Sequence, residues 1–191
     1  MTDESYPVTV NVYDISNGMA AALSEQMLGK KIDGIWHTGI IVYGKEFYFG
    51  GGICKDPIGQ TPYGTPVKNE VIGSTEIPEE MFLGYLNELS SKYTESNYDL
   101  LTNNCNHFTG DAVEFLTGNP LPVYISGLID EIRQAPMGSM ILNMVSGMTS
   151  QVQANSHAIF NPSTAEGQAN LAKTFGGQNP DGKGPQGNPP K

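Results

Sequence analysis

The chain has 191 residues, of which 38% are hydrophobic and 16% charged, enough for one ordinary domain with a tail and too few for two large ones. Ten Lys and Arg stand against twenty Asp and Glu, a formal net charge of -10, opposite in sign to what phosphate-rich partners attract, so nucleic acid is not an expected ligand. No apolar run approaches the ~20 residues of a membrane span, and Met1 to Ser16 has no basic stretch followed by an apolar core, so neither a membrane span nor a secretory signal is expected, and cytoplasm and nucleus are the expected compartments.

Val8 to Tyr13 alternates and is rich in β-branched residues, the pattern of a strand with one buried face. Met19 to Leu28 holds strong helix formers and stops at Gly29, so a short helix follows. Ile35 to Tyr43 and Glu46 to Phe49 read as a β-hairpin joined by a tight Gly44-Lys45 turn. Gly50-Gly51-Gly52 and the Pro- and Gly-rich stretch to about Pro66 predict a loop, and Lys68 to Ile77 a returning strand.

Pro78 suits the first position of a helix whose apolar face is Met81, Phe82, Tyr85, Leu86 and Leu89, ending near Lys92. A second helix runs from about Asn104 to Thr117, with Phe108, Ala112, Phe115 and Leu116 at helical spacing, and stops at Gly118-Asn119-Pro120. Val123 to Gln134 predicts a short helix. The uncharged stripe Met137, Met140, Ile141, Met144, Val145 and Met148 predicts another, docked on the domain. Strands followed by helices give an α+β fold class, a mixed antiparallel sheet packed with helices, over residues 7–150. Residues 155–191 form a Gly-, Pro-, Asn- and Gln-rich tail expected to be disordered, because its composition buries too little apolar surface to offset chain entropy.

The two cysteines, Cys54 and Cys105, are too few for a disulfide scaffold. Without a Cys-x-x-Cys or a paired His spacing, neither a metal site nor another cofactor is expected. Cys105 falls in the first turn of the Asn104 helix, where unpaired backbone N–H groups favour a thiolate; it also lies on the apolar face of that helix and could simply pack. A nucleophilic thiol needs a base, and His37, His107 and His157 are the choices. His107 lies two positions from Cys105, about 200° round the helix, which points its ring away and fits a capping role. His157 lies in the tail. His37 lies within a strand on the pleat side of Gly39, whose missing side chain leaves room beside the ring; it reads either as a satisfied buried histidine or as a sheet-mounted base. Cys54 reads as a bystander in a loop.

Four blocks, EFYFGGGICKDPIGQTPYGTP, GSTEIPEEMFLGYL, YDLLTNNCNHFTGDAVEFLTG and LPVYISGLIDEIRQAPMG, resemble in order the PPPDE family of permuted papain-fold desumoylating isopeptidases, from about Pro7 to Met148. That resemblance implies a dyad with histidine before cysteine, here His37 of WHTG and Cys105 of NNCNHF. It implies hydrolysis of the isopeptide bond between a small ubiquitin-like modifier, SUMO or ubiquitin, and a substrate lysine, with a homodimer as the assembly. The backbone N–H of Cys105 and the side chains of Tyr98, Asn103 and Asn104 are oxyanion candidates. Gly50, Gly51 and Gly52, with Trp36, are candidates for a groove admitting a diglycine tail. An acyl-protein thioesterase, a lecithin:retinol acyltransferase-like enzyme and a non-catalytic adaptor are the alternatives.

Overall fold

The computed structural model describes residues 4–156, 158 and 159. Its sheet has the order β4-β3-β2-β1-β5, built from β1 (Tyr6–Asp14), β2 (Trp36–Val42), β3 (Lys45–Phe49), β4 (Ile53–Asp56) and β5 (Lys68–Thr75). Every neighbouring pair is antiparallel, so the sheet is the antiparallel one expected, with all five strands paired in that sense. The hairpin turn is Tyr43-Gly44 rather than Gly44-Lys45. Both turn residues have positive φ, 51° and 71°, the pair of left-handed conformations that matches strand twist in a two-residue hairpin. β4 lies inside the stretch that reads as a Gly-rich loop. Its four residues are too few to show a period.

Helix α1 (Met19–Leu28) ends at Gly29 in the left-handed conformation, and α2 (Glu79–Leu89) starts after Pro78 with Glu79 and Glu80 at its positive end. A 3-10 turn (Glu95–Asn97) leads to α3 (Cys105–Thr117), closed by Gly118 at φ 70°. The predicted helix after Pro122 is two, α4 (Val123–Ser126) and α5 (Leu128–Arg133), divided at Gly127. The chain then continues into α6 (Gly138–Gln153).

One face of the sheet buries Val8, Val10, Val12, Ile40, Val42, Phe47 and Phe49 against Phe108, Ala112 and Leu116 of α3 and Phe82 and Leu86 of α2. Phe108 is fully buried there, and removing its ring would cost about 3–5 kcal/mol. A second cluster joins Leu28, Ile32 and Ile35 to Leu128 and Ile132 of α5 and Ile141 and Val145 of α6. The uncharged stripe of α6 therefore divides. Ile141 and Val145 dock, while Met137, Met140 and Met144 stay 41–49% exposed. After α6, the Ile159 N–H donates to the Ile53 carbonyl at 2.7 Å and Ala158 bridges Cys54, so the residues just beyond the helix lie along the β4 edge. The remainder of the tail and His157 fall outside the described residues.

Candidate active site

Asn104 starts α3. Its Oδ1 accepts from the N–H groups of Asn106 at 2.9 Å and His107 at 3.1 Å, its Nδ2 donates to the Leu100 carbonyl at 2.7 Å, and its own N–H donates to Nδ1 of His107 at 3.2 Å. This capping box satisfies otherwise orphaned donors and fixes Cys105 as the first helical residue. His107 is thus a capping partner, as its spacing implied.

Cys105 is 6% exposed. Backbone N–H groups of Thr38, Asn106 and Cys105 itself favour its thiolate, but burial outweighs them and pushes the thiol up to about 12. The helix start alone predicts the opposite direction. The helix dipole is worth about 0.3–1 kcal/mol at an exposed site, less than the penalty for placing a charge away from water. The neutral thiol donates to Oδ1 of Asn106 at 3.7 Å.

His37 pairs with Tyr13 across β1 and β2, and the strand alternation is as read. Thr38 and Ile40 face α3, and His37 faces Tyr13, Tyr48 and Tyr63. The Tyr63 ring stacks on the imidazole, with centroids 3.3 Å apart and planes 10° apart, and Tyr13 and Tyr48 approach to 5.8 Å. Burial holds the imidazole down to about 3, so it is neutral at pH 7, and among the described residues neither ring nitrogen has a hydrogen-bond partner. Buried polar atoms are rarely left so, and those that are cluster at functional sites.

The room expected beside Gly39 is occupied. A Cβ there would collide with the Glu46 side chain. Glu46 is fully buried. It accepts from Tyr13 Oη at 2.6 Å, Asn11 Nδ2 at 3.0 Å and the Gly59 N–H at 2.8 Å. The last bond ties down the loop that carries Tyr63. Sequence reasoning missed Glu46 and Tyr63. The lone acid in an apolar strand was a usable signal for the first, since charged residues are almost never fully buried unless paired. The second lies in a stretch with no periodicity.

His37 and Cys105 line one cavity with Tyr63, Tyr98, Leu100, Val145 and Thr149. Its usable room is about 10 Å³, near the minimum for one water. No hydrogen bond joins ring and thiol, and this conformation admits no peptide. Val145 and Thr149 of α6 form part of the closure, and Tyr98 hydrogen-bonds Thr149. Among the oxyanion candidates only Tyr98 and Asn104 border the cavity. Asn104 is committed to capping, and the Asn103 amide donates to the carbonyls of Lys92 and Asn97, both at 2.9 Å.

Trp36 also borders the cavity and meets Tyr124 edge-on at 6.1 Å. Gly50, Gly51 and Gly52 follow β3 at the end of the sheet where β2 begins, so they lie toward His37, but Ser156 covers them. The Gly51 N–H donates to Ser156 Oγ at 2.7 Å, and a side chain at Gly50 would strike Ser156. Cys54 is in strand β4 rather than a loop, and burial also pushes its thiol up to about 12. Among the described residues no three His, Cys, Asp or Glu side chains are placed to hold a metal ion.

Comparison with known proteins adds two findings. Residues 6–146 match the model of the PPPDE putative peptidase domain. The chain is 46% identical over 138 residues to human desumoylating isopeptidase 1, covering 71% of this chain and 82% of the relative. It is 40% identical over 156 residues to the Xenopus laevis protein of the same name, covering 81% and 91%.

Proposed function

Because this chain belongs to the PPPDE peptidase family, we propose that it is a cysteine isopeptidase that removes SUMO from substrate lysines, with Cys105 as nucleophile and His37 as base in a permuted papain-like arrangement. The observation that carries the assignment is the shared cavity: the thiol at the start of α3 and an imidazole with no hydrogen-bond partner among the described residues border the same space. The names of the relatives support SUMO conjugates as the substrate class. Ubiquitin conjugates are a second class for the same chemistry, and a homodimer is the proposed assembly.

The reaction requires the cavity to open. With water and substrate admitted, the desolvation that keeps both groups neutral falls away, and the thiol can pass its proton to His37. The thiolate adds to the carbonyl carbon of the modifier's terminal glycine. The oxyanion then meets the N–H of Cys105, which belongs to the first turn of α3 and has no partner within the helix. Collapse breaks the C–N bond, His37 returns its proton to the lysine amine, and water, deprotonated by the same ring, hydrolyses the thioester.

SUMO and ubiquitin bearing a C-terminal electrophile, applied to the parent and to Cys105→Ser, test this reading. Labelling of the parent by the SUMO probe that disappears in the variant is expected. Cleavage of a fluorogenic acyl thioester with no action on either modifier conjugate would replace it with the thioesterase reading.

A further inference from the structure

Asn106 takes no role in the chemistry described above, yet its side chain touches Cys105 and both residues that flank His37. Its Nδ2 donates to the Trp36 carbonyl at 3.0 Å, and its Oδ1 accepts from Thr38 Oγ1 at 2.8 Å. Those partners are the residues immediately before and after His37. The same Oδ1 takes the Cys105 thiol at 3.7 Å. One amide therefore brackets the strand position that carries the imidazole and holds the sulfur of its own helix neighbour. Thr109, one turn along α3, adds a bond from its hydroxyl to the Thr38 carbonyl at 3.3 Å. The helix is thereby fixed to β2 at consecutive turns.

We propose that Asn106 is the positioning residue of the dyad. Its amide sets the distance and register between the α3 start and the His37 segment of β2, and it parks the thiol until His37 takes the proton. The proposal rests on the assignment of Cys105 and His37 above. The side chain is buried, 8% exposed, where an amide bonded on both edges is rigid and a half-bonded one is costly. Asp or Ser in its place would satisfy one edge only. A shift of about 1 Å between reacting groups can cost roughly 100-fold in rate, so an anchor spanning both groups acts on turnover more than on binding. With Asn104 and Ile129, Asn106 also borders an open cleft of about 270 Å³, so it stands between the dyad cavity and that cleft.

The test uses the full chain with Cys54→Ala, which leaves Cys105 as the single thiol. Two quantities are read for each variant: kcat and KM on an isopeptide-linked SUMO conjugate, and the pH profile of Cys105 alkylation by iodoacetamide. The titratable groups around the sulfur are His37 from β2, Tyr63 from the loop after β4 and Tyr98 from the segment before α3. Asn106→Ala is expected to lose roughly 100-fold in kcat with KM within about twofold, and its alkylation profile should move toward that of His37→Ala. Thr38→Val removes one bond while keeping side-chain shape. It should lose less, about tenfold, with the same split.

If both variants melt cooperatively and keep the parent's kcat and profile, the positioning role is overturned. It is equally overturned if kcat falls in proportion to folded fraction while the profile stays that of the parent. Should Asn106→Ala fail to fold, Thr38→Val decides. An unchanged profile and kcat in His37→Ala would instead refute the dyad, whatever Asn106 does.

Discussion

The two thiols of this chain are a natural pair of opposites. Cys54 and Cys105 are both buried, and burial pushes both up to about 12, so at rest neither is a nucleophile. They differ in surroundings. Cys54 lies in β4, where its Sγ donates to the Gly52 carbonyl at 3.4 Å and the Gly50 N–H and the Ser156 and Tyr48 hydroxyls favour its thiolate as backbone N–H groups do at Cys105. Cys105 lies at a helix start with backbone N–H groups turned to its sulfur and borders a cavity that also holds an imidazole with no hydrogen-bond partner among the described residues. Reactivity is thus set less by the resting ionisation than by what the thiol meets once water enters.

The strongest way to break that contrast is to remove each sulfur. Cys105→Ser should lower kcat on a SUMO conjugate by at least ~1,000-fold, the scale on which thiol and hydroxyl nucleophiles matter, while Cys54→Ser stays within about twofold. Equal losses, measured by gel-based deconjugation, would make the Cys105 assignment wrong. His37→Ala removes the imidazole that shares the Cys105 cavity, and roughly 100- to 10,000-fold should be lost. An activity unchanged at neutral pH would move the base elsewhere.

A smaller effect sharpens the difference in access. Cys105 is sealed by Val145 and Thr149 of α6, a helix that packs through Ile141 and Val145 and leaves three methionines half-exposed. Such a helix opens locally at lower cost than the sheet that holds Cys54. Under native conditions iodoacetamide should therefore modify Cys105 about tenfold faster than Cys54, and Val145→Ala should widen the gap. Parallel labelling of both thiols would mean that exposure comes only from global unfolding, and α6 would lose its role as a closure.

Much of this was readable in the chain. The α1 span and the Gly118 stop follow from local rules that depend on neighbours a few residues away, whereas Asn104, read as an oxyanion candidate, proves to be the cap of α3. His37 and Cys105 were also accessible, because a histidine in a strand and a cysteine at a helix start carry position-specific chemistry. Distant partners were not. β4 is too short to alternate, and Glu46 fills the space at Gly39 across a strand pair that no local pattern announces. The sense of the Cys105 shift depends on how completely α6 and Tyr63 shut out water, a property of packing between segments far apart in sequence. The helix dipole was read correctly and was simply the weaker effect.

The mildest test of the contrast is stability against pH. His37 titrates near 6.5 when unfolded and near 3 when folded, so between those values the unfolded chain binds the extra proton. Its contribution is therefore complete above pH 6.5 and is lost as the pH falls toward 3, with a slope of at most one proton, about 1.4 kcal/mol per pH unit. His107 is lowered too and adds in the same sense, with Asp14 and Asp99 following at lower pH. At the alkaline end the sign reverses. Each thiol keeps its proton in the folded chain and releases it near 9 when unfolded, so stability falls as pH rises past that value, equally for Cys54→Ser and Cys105→Ser. The acid arm reports on the Cys105 cavity, where among the described residues His37 is the buried imidazole. Urea midpoints between pH 4 and 7 should fall less steeply in His37→Gln than in the parent by about one proton. Superimposable curves would mean that the ring is already hydrated in the folded chain, and burial would no longer account for the resting state of His37 or Cys105.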